Sequence, residues 1–392
     1  MIALFAWLCV LPPTLALLYL SLEVTLGLRT LATTCVKLPP ADVTVVVPAH
    51  NEALSISDTV RSVLCVSHSA TRVLVIADNC SDGTAELART EGATVIERND
   101  DTRRGKGYAL AFARDYLASA PPAAVFILDA DCRIERGSAE LLASIAVARG
   151  EPVQARNLLS APADAPPLVL LSNFAFLLKN LVRARGMYRL GGGITLSGTG
   201  MAFPWKTFAQ AELATSDAVE DLRLALALAS KGTKVHLCED VQVTSAAAEP
   251  RDSMDQRRRW EHGFLTNASR HGLPLLLEGA ARRSRHLAVL GAHMLVPPLA
   301  LLFLVAFAAL LPAGVLVAWN GNSVPAMLLL GALVCGIVTT ALAWHREGRL
   351  TLSARTLIRA PLYILWKLPL YLGFFSARQT EWNRTRRLNE KS

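Results

Sequence analysis

The chain has 392 residues, of which 52% are hydrophobic and 18% charged. That length suits two domain-sized units, and the apolar excess excludes a disordered chain, a collagen-like chain and a small disulfide scaffold. The formal charge of +8, from 40 Lys and Arg against 32 Asp and Glu, suits nucleic acid or an anionic membrane surface, and the apolar excess favours the membrane.

Residues 1–22 carry no Asp, Glu, Lys or Arg, long enough for a spanning helix of about 20 residues. With no basic stretch ahead of it and no small-residue cleavage site, the segment 1–28 reads as a retained membrane helix rather than a leader. Arg29 and Lys37 follow it, which predicts that the N-terminus is outside and the following domain is in the cytoplasm. The seven cysteines, at 9, 35, 65, 80, 132, 238 and 335, have no metal-site spacing and read as small buried residues in a reducing compartment.

From about 42 to 286 the pattern changes to that of an α/β domain. Short runs rich in Val and Ile at 43–47, 72–77, 93–96 and 124–128 have the character of buried parallel strands. Helix-like stretches at 54–64, 84–91, 107–117 and 138–148 separate them, which predicts a doubly wound, mostly parallel sheet. Ligands in such sheets bind beyond the carboxyl ends of the strands. There the chain places His50, Asn51 and Glu52 after the first run, Asp78 and Asn79 after the second, and Asp129 and Asp131 after the fourth. The segment around Asp78 is, by itself, equally a turn and a helix cap. Arg103-Arg104-Gly105-Lys106-Gly107 is a basic turn or brings a lysine to phosphate. Asp129 and Asp131, one residue apart after a buried run, repel unless solvent or a cation separates them, and this pattern suits Mg²⁺ or Mn²⁺ with a diphosphate.

Further on, 168–182 is apolar but interrupted by Ser172, Asn173 and Lys179, too short to span and suited to an interfacial or core helix. Leu196-Ser197-Gly198-Thr199-Gly200-Met201 reads as a strand with glycines where another group comes close. Glu220 and Asp221 open a predicted helix, where acidic residues serve the helix dipole or, in the functional reading, place Asp221 as a general base. In Gln256-Arg257-Arg258-Arg259-Trp260, helical spacing puts Gln256, Arg259 and Trp260 on one face. A guanidinium suits a departing diphosphate and an indole offers an apolar plane to a sugar.

Between 287 and 344 no Asp, Glu, Lys or Arg appears, and the polar loop at 319–323 divides the run into two spans near 287–311 and 324–344, with Pro297 and Pro298 kinking the first. Arg282, Arg283, Arg285, Arg346 and Arg349 flank the pair, so both flanks are expected in the cytoplasm. Residues 352–376, interrupted by Arg355, Arg359, Lys367, Pro361 and Pro369, read as a kinked amphipathic helix at the interface. A basic cytoplasmic tail at 377–392 follows.

These motifs together resemble the membrane-bound glycosyltransferases of family 2, the group of cellulose, hyaluronan and chitin synthases and ceramide glucosyltransferase. VVVPAHNE, IADNCSDGT, RRGKGYAL, LDADC, LSGTG, VEDL and QRRRW follow in the family's order over roughly 43–271. The resemblance implies a GT-A fold, a divalent cation (Mg²⁺ or Mn²⁺) and inversion at the anomeric carbon. It implies that Asp78 meets a uracil base in a pocket shaped by His50, Asn51 and Glu52, and that Lys106 approaches the nucleotide. Asp129 and Asp131 become the metal pair, Asp221 the base, and Gln256 and Arg259 the diphosphate contacts, with Glu220 and Trp260 toward the acceptor. Ala77 stands where many relatives have a first aspartate.

The function expected is transfer of a sugar from a nucleotide sugar, a UDP-sugar by resemblance, to a lipid or lipid-linked glycan by an integral protein of the inner membrane, its catalytic domain in the cytoplasm. A processive polysaccharide synthase is the nearest rival, and a nucleotide-sensing transporter a more remote one. Few polar groups lie within the spans to line a transport path. Nucleic acid is not an expected partner, because the basic residues gather at the predicted membrane edges.

Overall fold

The computed structural model describes residues 2–32, 38–39, 41–65, 71–162, 164–246 and 250–376. Cys35, Lys37 and the expected tail at 377–392 lie outside them. Contacts divide the described residues into two units, one within 31–161 and 192–263, the other within 2–30, 162–191 and 264–376.

In the first unit the four apolar runs become β1 (Val43–Ala49), β2 (Thr71–Asp78), β3 (Thr94–Arg98) and β4 (Ala124–Ile127), and β5 (Cys132–Ile134), β6 (Val153–Ser160), β7 (Met201–Pro204) and β8 (His236–Ala246) join them. They form one eight-stranded sheet in the order β3-β2-β1-β4-β7-β6-β8-β5. The half β3-β2-β1-β4 is parallel, with Val45 opposite both Val73 and Phe126. Beyond it β7 runs antiparallel to β4 and β6, β8 parallel to β6, and β5 antiparallel to β8. The sheet is therefore mixed, with the expected doubly wound pattern in its first half. β1 and β4 are buried almost throughout, as β-branched strands covered on both faces should be. Edge strand β3 is more exposed.

The helices Ile56–Leu64, Thr84–Thr90, Lys106–Leu117 and Ser138–Arg149 fall where their periodicity predicts. Val60 and Val63 from the first and Leu142 and Ala146 from the last enter one core with Val45, Val75 and Phe126. Residues 196–200, expected as a strand, are instead a loop. Gly198 and Gly200 have φ of +85° and +70°, a left-handed backbone that breaks a strand ladder and that glycine tolerates. Pairing resumes at Met201.

The second unit is helical. Four of its helices are long and apolar enough to cross a membrane by length and composition: Ala3–Gly27, Pro167–Gly191, Leu299–Trp319 and Val324–Gly348. Pro167–Gly191 corrects the reading of 168–182 as too short, since the helix continues 25 residues through Arg183 and Arg185. It groups with the helical unit although the expected α/β domain, 42–286, ran through it. Leu178 and Val182 pack with Leu17, Leu20 and Val24, and a Cβ on Gly186 would lie 1.9 Å from the Glu23 carbonyl oxygen. The backbones are that close.

Pro297 and Pro298 do not kink a span at 287–311. One helix ends at Met294, Pro298 caps the next, and Leu299–Asn320 is continuous. Proline lacks an N–H and keeps the residue before it out of the helical region, so it fits a helix start better than an interior. By the same argument 352–376 forms three short helices, Ala354–Leu357, Ala360–Trp366 and Leu368–Ser376, rather than one, with Pro361 and Pro369 near the starts of the second and third. Ile358, Leu362, Leu365 and Leu372 on this segment are exposed. The six described cysteines are free thiols.

Candidate active site

The ends of β1 and β2 are knitted by side chains. Asn51 and Asn79 take left-handed φ of 55° and 53°, which asparagine tolerates better than most residues. Asn51 Oδ1 accepts from the Ser81 amide at 2.7 Å, and the Glu52 amide donates to Thr84 Oγ1 at 2.7 Å. His50 Nδ1 meets the Asp78 carbonyl oxygen at 2.7 Å. His50, Asn51, Glu52 and Asp78 are thus brought to one strand-end cluster.

Asp78 has a partner that the sequence reading missed. Arg98, the last residue of β3, donates from Nη1 to Asp78 Oδ1 at 2.6 Å, and both side chains are about nine-tenths buried. Its Nη2 reaches Asp100 Oδ2 at 3.1 Å and the Arg103 carbonyl oxygen at 2.7 Å, and its guanidinium lies 5.7 Å from the Tyr108 ring centre. Burial lifts the Asp78 carboxyl above the usual range while Arg98 pulls it back. The available signal was an arginine at the carboxyl end of the neighbouring strand.

A second cluster lies around Lys106. This lysine starts the Lys106–Leu117 helix, whose close seating is fixed by Gly107: a Cβ there would lie 2.4 Å from the Leu213 carbonyl oxygen. Lys106 Nζ pairs with Asp129, donates to the Gly198 carbonyl oxygen at 2.7 Å and lies 3.8 Å from the Glu220 carboxylate. Glu220 and Asp221 open the Glu220–Ser230 helix. Asp221 Oδ1 accepts from the Leu222 amide at 2.7 Å, and a Cβ on Gly198 would be 3.6 Å from Asp221 Oδ2 and 3.9 Å from Lys106 Nζ. Lys106 and Asp221 therefore border the same glycine. Asp129, Asp131 and Cys132 each offer a ligand atom within 4.8 Å of the others.

The helix Pro250–Ala281 brings Arg259 to this cluster. Arg259 lies within electrostatic reach of Glu220, Asp129 and Asp221. A Cβ on Gly263 would lie 2.7 Å from Val219 Cγ2, so the helix seats directly against the residue before Glu220. Gln256 and Trp260 are half-buried on the same helix, and helical spacing puts them on the face of Arg259.

The charges respond to this crowding. Burial opposes the charge on Lys106, but Asp129 and Glu220 outweigh it and hold the ammonium above its usual range. Burial raises Glu220 to about 7, with Lys106 opposing and Asp221 adding to the rise. Burial lowers Arg259, and the three carboxylates around it work against that shift. The Cys132 thiol is pushed well up by burial and by Asp131. Chemically, two cations lie among Asp129, Asp131, Glu220 and Asp221, an arrangement that favours an added divalent cation. It also places an acid–base group beside that charge.

Comparison with known proteins follows the same outline. The model of the family described as glycosyltransferase like family 2 matches residues 39–263. A search of curated proteins gives no match. Among solved structures, the chain is similar to the mannosyltransferase PcManGT from Pyrobaculum calidifontis in complex with GDP-Man and Mn²⁺, at 18% identity and a TM-score of 0.55, over 94% of this chain and 100% of that one. It is also similar to glucosyl-3-phosphoglycerate synthase from Mycobacterium tuberculosis in complex with Mn²⁺, UDP and phosphoglyceric acid, at 18% identity and a TM-score of 0.38, over 58% of this chain and 78% of that one. The first likeness gives the fold as GT-A.

Proposed function

The chain belongs to the glycosyltransferase-like family 2, and we propose on that footing that it moves a sugar from a nucleotide sugar to a lipid or lipid-linked glycan, inverting the anomeric centre. It is a glycosyltransferase. The observation that carries the finer reading is the gathering of Lys106, Asp129, Glu220 and Asp221, with Arg259 in electrostatic reach of the three carboxylates, into one half-buried cluster.

Asp129 and Asp131 suit Mg²⁺ or Mn²⁺, because hard cations take carboxylate oxygens and leave further positions to phosphate. Cys132, with its thiol pushed up by burial, is left outside that ligand set. When bound, the cation supplies positive charge to the diphosphate that leaves. Lys106 and Arg259 add fixed charge on the protein side, which is worth more in a buried site than in water. At the other end, Asp78, held by Arg98, and the segment 50–52 line the place for the base. We assign this as uracil by resemblance, with guanine as the competitor because the solved relative holds GDP-Man.

Asp221 is the general base of this reading. It takes the proton of the acceptor hydroxyl as that oxygen bonds to the anomeric carbon and the bond to the diphosphate oxygen breaks on the opposite face. One displacement turns an α-linked donor into a β-linked product. Gln256 supports the diphosphate end, and Trp260 and Glu220 the acceptor end. The QxxRW spacing of Gln256, Arg259 and Trp260 supports a likeness to the membrane-bound synthases of the family. Four helices apolar enough to span support a membrane-borne acceptor at the cytoplasmic face of an inner membrane.

The test is a donor screen with the purified full-length protein, membrane lipid as acceptor, and uridine and guanosine diphosphate sugars with and without Mn²⁺. One donor class should release its nucleotide in a Mn²⁺-dependent way and label the lipid. No release from any donor contradicts the reading, and long polymer in place of a single added sugar replaces it with a processive synthase.

A further inference from the structure

The loop 197–200 creates a problem that the fold has to solve. With Gly198 and Gly200 at φ of +85° and +70°, its amides and carbonyls cannot all join a ladder, and Thr199 is only 3% exposed. Buried backbone polar groups need partners. A Cβ on Gly200 would lie 2.7 Å from Val243 Cγ2 and 3.2 Å from Ala155 Cβ, so the loop presses against the sheet where water has little room.

Two side-chain amides on β6 supply the partners. Gln154, 3% exposed, accepts at Oε1 from the Ser197 amide at 3.0 Å. Its Nε2 donates to the carbonyl oxygens of Thr199 at 2.8 Å, Gly200 at 3.2 Å and Ala155 at 3.0 Å. Asn157, 5% exposed, donates from Nδ2 to the Ser197 carbonyl oxygen at 2.8 Å and Ser197 Oγ at 3.4 Å. Main-chain bonds complete the attachment: the Gly200 amide donates to Ile127 and the Ala155 amide to Gly200.

Gly198 and Thr199 of this loop face the charged cluster. The Gly198 carbonyl oxygen accepts from Lys106 Nζ at 2.7 Å. Thr199 Oγ1 accepts from the Asp129 amide at 3.0 Å and donates to Cys132 Sγ at 3.5 Å. Gly198 also borders Asp221. One loop therefore fixes Lys106, the backbone at Asp129 and the space beside Asp221, and its own position depends on the amides of Gln154 and Asn157.

We propose that Gln154 and Asn157 are positioning residues of the transfer site, acting through the loop 197–200 on Lys106 and Asp129. The proposal rests on the glycosyl-transfer reading for what is positioned, while the clamp itself is independent of it. Leucine or methionine at either position would fill the space and leave the loop unheld.

The experiment uses the full-length protein with Gln154→Met, Asn157→Leu and Gln154→Glu. Hydrogen exchange of the peptide spanning 195–201, read without donor or cation, should speed up in the first two. Turnover should fall about 10–100-fold, the usual cost of losing a partner behind a ligand or catalytic group, with the donor KM rising as Lys106 and Asp129 lose their placement. Gln154→Glu keeps the acceptor for Ser197, but its new carboxyl can donate to Thr199 only when protonated. Its kcat profile should therefore shift toward acid relative to wild type, a readout that loss of packing alone would not move. Wild-type exchange and turnover in whichever of the apolar variants folds overturns the proposal; if neither folds, the near-isosteric Gln154→Glu decides it, an unshifted profile overturning it. The two failures are distinguishable: if wild type turns over no donor the transfer reading falls, whereas exchange at 195–201 reports on the clamp alone.

Discussion

Two groups of charges, one in each unit, are built on opposite plans. In the helical unit Glu23 is fully buried and carries Arg183 Nε at 2.7 Å on one oxygen and His293 Nδ1 at 2.8 Å on the other. Nearby, Arg185 pairs with Glu347 at 2.5 Å, and Arg189 donates to the carbonyl oxygens of Leu26 and Arg29 at 2.6 and 2.8 Å. Glu23 and Glu347 there each meet an arginine, Arg189 meets main-chain carbonyls, and these contacts join separate helices. Around Lys106, by contrast, carboxylates crowd one another: Asp221 raises Glu220, as does Asp129. Balanced charge in a low-dielectric setting ties elements together, whereas an excess of one sign is a cost that a bound cation or substrate relieves. The first group reads as architecture and the second as function.

The largest effect expected from this contrast is on turnover. Asp221→Asn should lower kcat by about 10²–10⁴-fold, the worth of general-base assistance, and leave donor affinity and thermal midpoint close to wild type, because it removes a like charge from the cluster. Steady-state rates and a melting curve check both parts. Near-normal turnover would remove Asp221 as the base.

Next comes stability. Glu23→Leu leaves Arg183 buried without its carboxylate and should cost about 3–5 kcal/mol, the range for breaking one side of a buried pair. Thermal unfolding of the full-length protein in detergent measures it, and an unchanged midpoint would show that the pair does not hold the helices.

The smallest effect concerns pH. Glu220 sits at about 7 against an ordinary 4.5. Between those values the folded chain keeps a proton that the unfolded chain has released, so the stability this group contributes is full at low pH and is lost as pH rises through about 7. Glu220→Gln, neutral throughout, should therefore lose less of its midpoint than wild type between about pH 5 and 8, a difference of a few degrees at about 2–4 °C per kcal/mol. Equal slopes would place the titration elsewhere.

The same contrast explains what could be read from the chain. β1, β2 and β4 were legible because Val and Ile runs buried on both faces have no other comfortable place, and the acidic residues at their ends were visible for the same reason. The loop at 196–200 was not, since apolar and small residues with two glycines suit a strand until the positive φ of Gly198 and Gly200 is known. Arg183 and Arg185 read as the end of an apolar segment because charge in such a run marks a boundary. Their partners Glu23 and Glu347 are more than a hundred residues away in the chain, and nothing local announces them. Arg98, bonded to Asp78 across neighbouring strands, left only the weaker signal of an arginine at the end of an adjacent strand. Periodicity reports which face is buried; it does not report which distant charge is waiting there.

The central claim is that the carboxylates and cations around Lys106 form a single nucleotide site completed by a divalent cation. Calorimetric titration of UDP and of GDP into the full-length protein, with and without Mn²⁺, and into Asp131→Asn, tests it most directly. One nucleotide should bind wild type in a Mn²⁺-dependent way and lose at least about tenfold in affinity, ~1.4 kcal/mol, in the variant. Binding that is equal with and without Mn²⁺ and unchanged by Asp131→Asn would contradict it.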